Sequence, residues 1–146
     1  MKKLFVTLIA IFSLGIFVAS ADNDRIIAKE NLPANSQQFI KTYFGDLNTA
    51  YIKEERGFFE KSYEVVFADG TKVEFARNGE WKEIDCRRSS VPSPIIPKMI
   101  AEYVKKNYPD ARILQIERDR NDYEVRLSNR LELTFDKAFN IIDIDD

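Results

Sequence analysis

The chain has no histidine and one cysteine, Cys86, among 146 residues. Without His there is no Ser–His or Cys–His nucleophile pair, no His-ligated zinc and no side chain whose ordinary titration falls at neutral pH. One Cys builds neither an internal disulfide nor a thiolate metal site. Only five glycines are present, and none forms a phosphate-cradling loop. Long apolar runs are missing after Val18. Basic excess is missing too: 22 Lys and Arg face 24 Asp and Glu. Nucleic acid, which attracts a basic surface, is therefore not an expected partner. Neighbouring carboxylates such as Glu54-Glu55 carry no accompanying acid/base pattern and read as solvated charge. No cofactor is expected.

What is present starts with a targeting segment. Lys2 and Lys3 precede an apolar stretch, Leu4 to Val18, and Ala19-Ser20-Ala21 is a small-x-small cleavage pattern. The apolar stretch is short of the ~20 residues of a spanning helix. Residues 1–21 are thus predicted to be a cleaved signal peptide, with Asp22 as the new N-terminus and no membrane span thereafter. Removing those 21 residues from 146 leaves 125. Lys2 and Lys3 leave with them, so 20 basic residues face 24 acidic ones and the charge becomes −4.

The rest is organised by a stretch that occurs twice. Tyr63 to Asp85 alternates apolar and charged residues: Tyr63, Val65 and Phe67 against Glu64, then Val73 and Phe75 against Lys72 and Glu74. Tyr123 to Asp143 repeats the plan, with Tyr123, Val125 and Leu127 against Glu124 and Arg126, then Leu131, Leu133 and Phe135 against Glu132. Period two with one apolar face predicts antiparallel strands covered on one side. Asp69-Gly70 predicts a type I′ turn, with Asn129-Arg130 as a weaker version.

Each stretch is preceded by a helical pattern. Leu32-Pro33 opens one helix, with Pro at its first position, an apolar stripe of Phe39, Ile40, Tyr43 and Phe44, and Gly45 as its left-handed terminator. Ile96-Pro97 opens the other, with Met99, Ile100, Tyr103, Val104 and Tyr108. Strands follow at Thr49–Arg56, with Ala50 and Ile52 inward, and at 112–118, with Leu114 and Ile116 inward. Pro33/Pro97 and Phe39/Tyr103 are 64 positions apart, and Tyr63/Tyr123 are 60 apart. Glu74/Glu132, Trp81/Phe139, Ile84/Ile142 and Asp85/Asp143 are 58 apart, which predicts two residues lost near the second hairpin turn and a last strand over 139–144. A register kept over such a span predicts a tandem duplication.

The predicted fold class is α+β: two helix-plus-four-stranded antiparallel meanders, their sheets joined into one and both helices on one face. The domains are a signal peptide (1–21), a polar lead-in (22–31) that forms an edge strand or stays extended, repeat 1 (32–85), a Pro-rich linker (86–95) and repeat 2 (96–146). A repeat of some 55 residues buries too little surface alone. Tyr43, Phe44, Trp81, Tyr103, Tyr108 and Phe139 are the large core candidates; Phe139 is read as the counterpart of Trp81, which favours core over ligand stacking.

LPANSQQFIKTYF, VVFADGTKVEF and NGEWKEID resemble the PepSY-like family of small secreted bacterial proteins, whose architecture is similar to that of the beta-lactamase inhibitor protein. The resemblance runs over nearly all of the mature chain. It implies a helix on an antiparallel sheet in each repeat, a periplasmic or extracellular location, and target recognition through the sheet side.

The function expected is a secreted, non-enzymatic binding module for an unknown secreted or envelope protein. Its predicted binding face is the charged sheet face carrying Glu64, Lys72, Glu74, Glu124, Arg126 and Glu132. The alternative is a small-ligand carrier with a pocket between helices and sheet. Asp143, Asp145 and Asp146 lack the spacing of a calcium loop and read as a solvated terminus. Cys86 reads as an inert thiol, with pairing to another chain as its alternative. Arg87-Arg88 reads as solvated linker.

Overall fold

The structure, a computed structural model, describes residues 23–146. The predicted signal peptide lies outside the described residues. The chain runs through β1 (Arg25–Ile26), α1 (Ala34–Phe44), β2 (Thr49–Arg56), β3 (Lys61–Phe67), β4 (Lys72–Ala76) and β5 (Trp81–Asp85). It continues through α2 (Lys98–Asn107), β6 (Ile113–Arg118), β7 (Asp122–Leu127), β8 (Glu132–Asp136) and β9 (Ile141–Asp145), with short 3-10 turns at Lys29–Asn31 and Ser93–Ile95. Among the described residues the strands form a single nine-stranded antiparallel sheet in chain order. Among the described residues the fold is α+β with two α-helices. No helix among the described residues is long and apolar enough to cross a membrane.

The sheet is continuous because β5 pairs with β6, through Glu83–Glu117, Ile84–Ile116 and Asp85–Gln115. The lead-in supplies an edge strand, β1, which covers part of the outer side of β2. Helix and sheet share one core. Phe39 meets Phe75 edge-on at 5.7 Å, Phe44 stacks on Phe67 at 5.5 Å, and Tyr103 meets Phe135 edge-on at 5.3 Å. Of the expected core aromatics, Phe44 and Trp81 are buried; Tyr43, Tyr103, Tyr108 and Phe139 are half-buried against the core, while Phe67, Phe75 and Phe135 lie at its centre.

Four hairpin turns share one geometry. Phe67 accepts a hydrogen bond from the Gly70 N–H (3.0 Å) and donates to the Thr71 carbonyl (2.9 Å). The same two bonds recur over Ala76–Glu80, Leu127–Leu131 and Asp136–Asn140. One residue per turn takes a left-handed φ: Gly70 (92°), Gly79 (84°), Arg130 (75°) and Phe139 (64°). This is the three-residue hairpin loop, not the type I′ turn expected, because Asp69 does not take a positive φ. Asp69 instead uses its carboxylate to accept the Thr71 N–H at 2.8 Å.

That geometry corrects the expected alignment. The Tyr63–Phe75 pair of β3 and β4 matches the Tyr123–Phe135 pair of β7 and β8, and Val73–Ile84 matches Leu133–Ile144, so the spacing stays at 60 to the end. Nothing is lost near the second hairpin turn. Phe139 is the turn residue in Gly79's place, not a core partner for Trp81, and β9 begins at Ile141. Bulges recur as well, between Thr49 and Tyr51 and between Ile113 and Gln115. They shift the pleat, so Ile113 rather than Leu114 is buried and Ala50 is exposed. Pro33 and Pro97 are N-caps rather than first helical residues. Gly45 is a right-handed C-cap (φ −62°), not a left-handed terminator. Met99 is 54% exposed and leaves the predicted stripe.

Candidate functional site

Side chains two apart along a strand share a face. Val65, Val73, Ile84, Ile116, Val125 and Leu133 stand opposite one another across β3–β8, and each is 0% exposed. Their chain neighbours point the other way and form two rows. The first is Glu64, Glu74, Glu83, Glu117 and Glu124, five carboxylates in direct cross-strand register over β3–β7. Lys53 flanks it on β2 and Thr134 on β8. The second row is mixed: Lys72, Asp85, Gln115, Arg126, Glu132 and Asp145.

Strand neighbours lie about 4.8 Å apart, and like charges directly opposite one another are destabilising. The groups respond as expected. Glu74, Glu83, Glu117 and Glu124 are all held above the ordinary carboxylate value, first by desolvation and then by adjacent carboxylates. Lys82 opposes this at Glu74, at 3.8 Å. The Gln115 amide donates to Glu83 at 2.5 Å. Among the described residues, Glu64, Glu83, Glu117 and Glu124 form no ion pair. A hollow of about 140 Å³ lies on this face, lined by Glu64, Lys72, Glu74, Glu83, Asp85 and Arg87.

All six residues of the predicted face therefore lie on one side of the sheet. Glu64, Glu74 and Glu124 belong to the carboxylate row. Arg126 and Glu132 occupy each other, the Arg Nε donating to Glu132 at 3.0 Å. Sequence reasoning missed Glu83 and Glu117, which complete the row where β5 pairs with β6. Their signal was the pairing of Ile84 with Ile116, which the strand pattern alone does not reveal.

Glu54 departs from the solvated reading. It is 2% exposed and held by Arg56 at 2.8 Å, Arg25 at 3.3 Å and Lys61 at 3.4 Å. Burial pushes its carboxyl up, but hydrogen bonds from the three cations outweigh this and hold it below the ordinary value. Cys86 is 1% exposed, and burial pushes its thiol up to about 11. A thiol so placed is not presented to another chain. The buried Asp85 Oδ1 has no hydrogen-bond partner among the described residues; Oδ2 meets Arg87 Nε at 3.0 Å.

The space between helices and sheet is filled by the aromatic contacts described above. Two concavities, of about 1080 and 140 Å³, are lined by strand and turn residues. Among the described residues no group of three Asp, Glu or Cys side chains is placed to hold a metal ion, Asp143, Asp145 and Asp146 included.

A family model described as "Putative beta-lactamase-inhibitor-like, PepSY-like" matches residues 61–143. Among solved structures, the chain is similar to a "putative calcium-regulated periplasmic protein" of Bacteroides thetaiotaomicron, with 55% identity over 86% of this chain and 99% of that one and a TM-score of 0.85. It is similar to a "putative periplasmic protein" of Bacteroides vulgatus, with 50% identity over 86% and 99% and a TM-score of 0.84. A second Bacteroides vulgatus periplasmic protein, of unknown function, shares 40% identity over 84% and 99%, with a TM-score of 0.80. No curated protein matches the chain.

Proposed function

Because the chain belongs to the PepSY-like family and is, like its relatives, a periplasmic protein, we propose that it is a non-enzymatic binding module that docks a basic partner protein on its carboxylate face. We further assign it two repeats, residues 32–85 and 96–146, joined by the linker 86–95, with both helices on the sheet face opposite the carboxylates. The observation that carries the binding role is the row Glu64–Glu74–Glu83–Glu117–Glu124. Five like charges in register work against the fold, and a cationic partner relieves that repulsion on docking. Its centre, Glu83 and Glu117, lies where the repeats meet. The face spans both repeats, wide enough for an interface of standard size. The partner is an envelope or secreted protein with a Lys- and Arg-rich patch, and an enzyme is among the targets the inhibitor-like architecture accommodates.

The test is affinity capture from periplasmic extract with the wild-type chain and with Glu83→Lys/Glu117→Lys. The variant should lose the captured partner, and capture should weaken as salt rises. Equal capture by both chains would remove the carboxylate face from the reading.

One relative is described as calcium-regulated. The described residues do not fit a dedicated calcium site, since the ion takes ~6–8 oxygens and the row offers carboxylates in cross-strand pairs. Calcium and magnesium should therefore act alike, at millimolar concentrations. A saturable micromolar calcium titration by calorimetry, unmatched by magnesium, would show a site that this geometry does not contain.

A further inference from the structure

The end of the sheet that carries the β2–β3, β4–β5, β6–β7 and β8–β9 turns has the opposite character to the carboxylate face. These turns border an open concavity of about 1080 Å³. Six basic residues line it against three acidic ones, in a chain whose net charge is −2. Its floor is a fixed cation. Arg118 lies 3.9 Å over the Trp81 ring, donates from Nε to the Trp81 carbonyl at 2.8 Å, and meets Glu80 at 3.2 Å. That guanidinium is held in place on its face and its edge, with Glu80 already meeting its charge, so an added anion falls to the cations around it.

Three more cations stand on successive turns: Arg77, Arg120 and Lys137. None forms an ion pair among the described residues. Their turns are two strands apart, which spaces the charges by roughly 10 Å along the rim. Lys137 lies 4.3 Å over the Tyr123 ring. At the far end the β2–β3 tip carries Phe58 and Phe59, 98% and 92% exposed, their rings 5.6 Å apart. Phe59 forms part of the concavity's wall. Two bare aromatic rings beside unpaired cations match a ligand that is both anionic and ring-based.

The backbone narrows the class further. A peptide that adds to a sheet is recognised by main-chain bonds at an open strand edge. Here the turns spend their own N–H and carbonyl groups on closing bonds, such as Gly79 to Ala76 and Phe139 to Asp136. Recognition at this rim is left to side chains. Long polyanions are repelled by the carboxylate face of the same sheet.

We propose that this rim is a second binding site, independent of the carboxylate face, for a short organic polyanion built on rings and bearing more than one sulfate or carboxylate. Anionic groups meet Arg77, Arg120 and Lys137 around Arg118, and a ring packs on Phe59.

The test is calorimetric titration of the mature chain with a sulfated heparin tetrasaccharide, with an unsulfated oligosaccharide and with a polyglutamate peptide of equal charge. The sulfated probe should bind with an affinity that falls as salt rises, and the unsulfated one should not bind. Arg77→Glu/Arg120→Glu/Lys137→Glu should weaken binding at least about tenfold, and Phe59→Ala several-fold. Both variants alter exposed side chains, and circular dichroism checks that they fold. Glu83→Gln/Glu117→Gln should bind as wild type, which separates this site from the carboxylate face. Absence of binding at low salt, wild-type affinity in the triple variant, or equal binding of polyglutamate would each overturn the proposal.

Discussion

Arg130 and Phe139 occupy turn positions that Gly70 and Gly79 fill in the first half, and both carry a left-handed backbone that costs a β-carbon-bearing residue ~1–2 kcal/mol. Phe139 offsets its strain by packing on Tyr123 at 5.4 Å. Arg130 is exposed and has no such compensation. Arg130→Gly should therefore stabilise the chain, by about 0.5–1 kcal/mol once the entropy of the unfolded glycine is subtracted, visible as a melting temperature a few degrees higher. Gly79→Ala runs the other way. A β-carbon there would also collide with Asn35, whose amide bonds the Asn78 carbonyl at 3.0 Å, and with Pro33. We expect a loss of about 2 kcal/mol or more, measured by urea denaturation. Cys86 yields a chemical prediction at the same scale. Its thiol is buried and poised near 11, so at pH 8 a maleimide should label it only after denaturant is added. Labelling of the native chain at the rate of a free thiol would show that the β5 end opens. The mistaken pairing of Trp81 with Phe139 belongs here too. Two large apolar residues look equivalent as letters, and only the turn hydrogen bonds show that one is in a strand and the other in a loop.

Strands and helices were largely legible because their apolar faces obey periods two and 3.6. β2 was read with its observed bounds, and the helices within about two residues. The bulges were not legible, because an extra residue in one strand leaves composition unchanged while shifting which side chain turns inward. Half of the carboxylate face was legible for the same reason. Alternation places Glu64, Glu74 and Glu124, whereas Glu83 and Glu117 lie in β5 and β6, where register shifts between Glu74 and Phe75 and between Ile113 and Gln115 break the simple alternation. The completed row has a pH signature. Glu74, Glu83, Glu117 and Glu124 titrate above the ordinary value in the fold, so as pH falls from neutral the folded state takes up protons before the unfolded one does. Stability therefore rises as pH falls from neutral toward the ordinary carboxylate range. Glu54, Asp119 and Asp136 have the opposite sign. The stability they lend is present above the unfolded value and is lost as pH drops through their lowered folded values. Melting temperature should thus pass through a maximum at mildly acidic pH. Glu83→Gln/Glu117→Gln should raise the neutral-pH melting temperature and flatten that limb. A curve that falls monotonically from neutral pH, unchanged in the variant, would mean that the row carries no repulsion.

At the scale of the whole molecule, the question is whether the proposed repeats are separable. Ile84 and Ile116 face each other across the β5–β6 junction and both are fully buried, as is Cys86, whose N–H donates to the Leu114 carbonyl at 2.7 Å. Val91 and Ile95, in the linker, are buried as well, and Val91 donates to the Ile113 carbonyl at 2.9 Å. The linker is therefore part of the core, although its Pro-rich composition reads as a spacer. Cutting the chain at residue 90 would leave two fragments, each with an unpaired strand edge and an apolar row open at one end. Each would also fall in the size range where a single core contributes only about 3–5 kcal/mol. Fragments 23–90 and 91–146 should each lack cooperative thermal unfolding when alone, and their mixture should regain it through the β5–β6 pairing. Trp81 gives the readout, since Arg118, which covers its ring at 3.9 Å, comes from the other fragment. On mixing, its fluorescence should return to that of the intact chain, at concentrations set by the affinity of the pair. Two fragments that each melt cooperatively, with no change in Trp81 on mixing, would show the junction to be a seam between finished domains rather than the middle of one core.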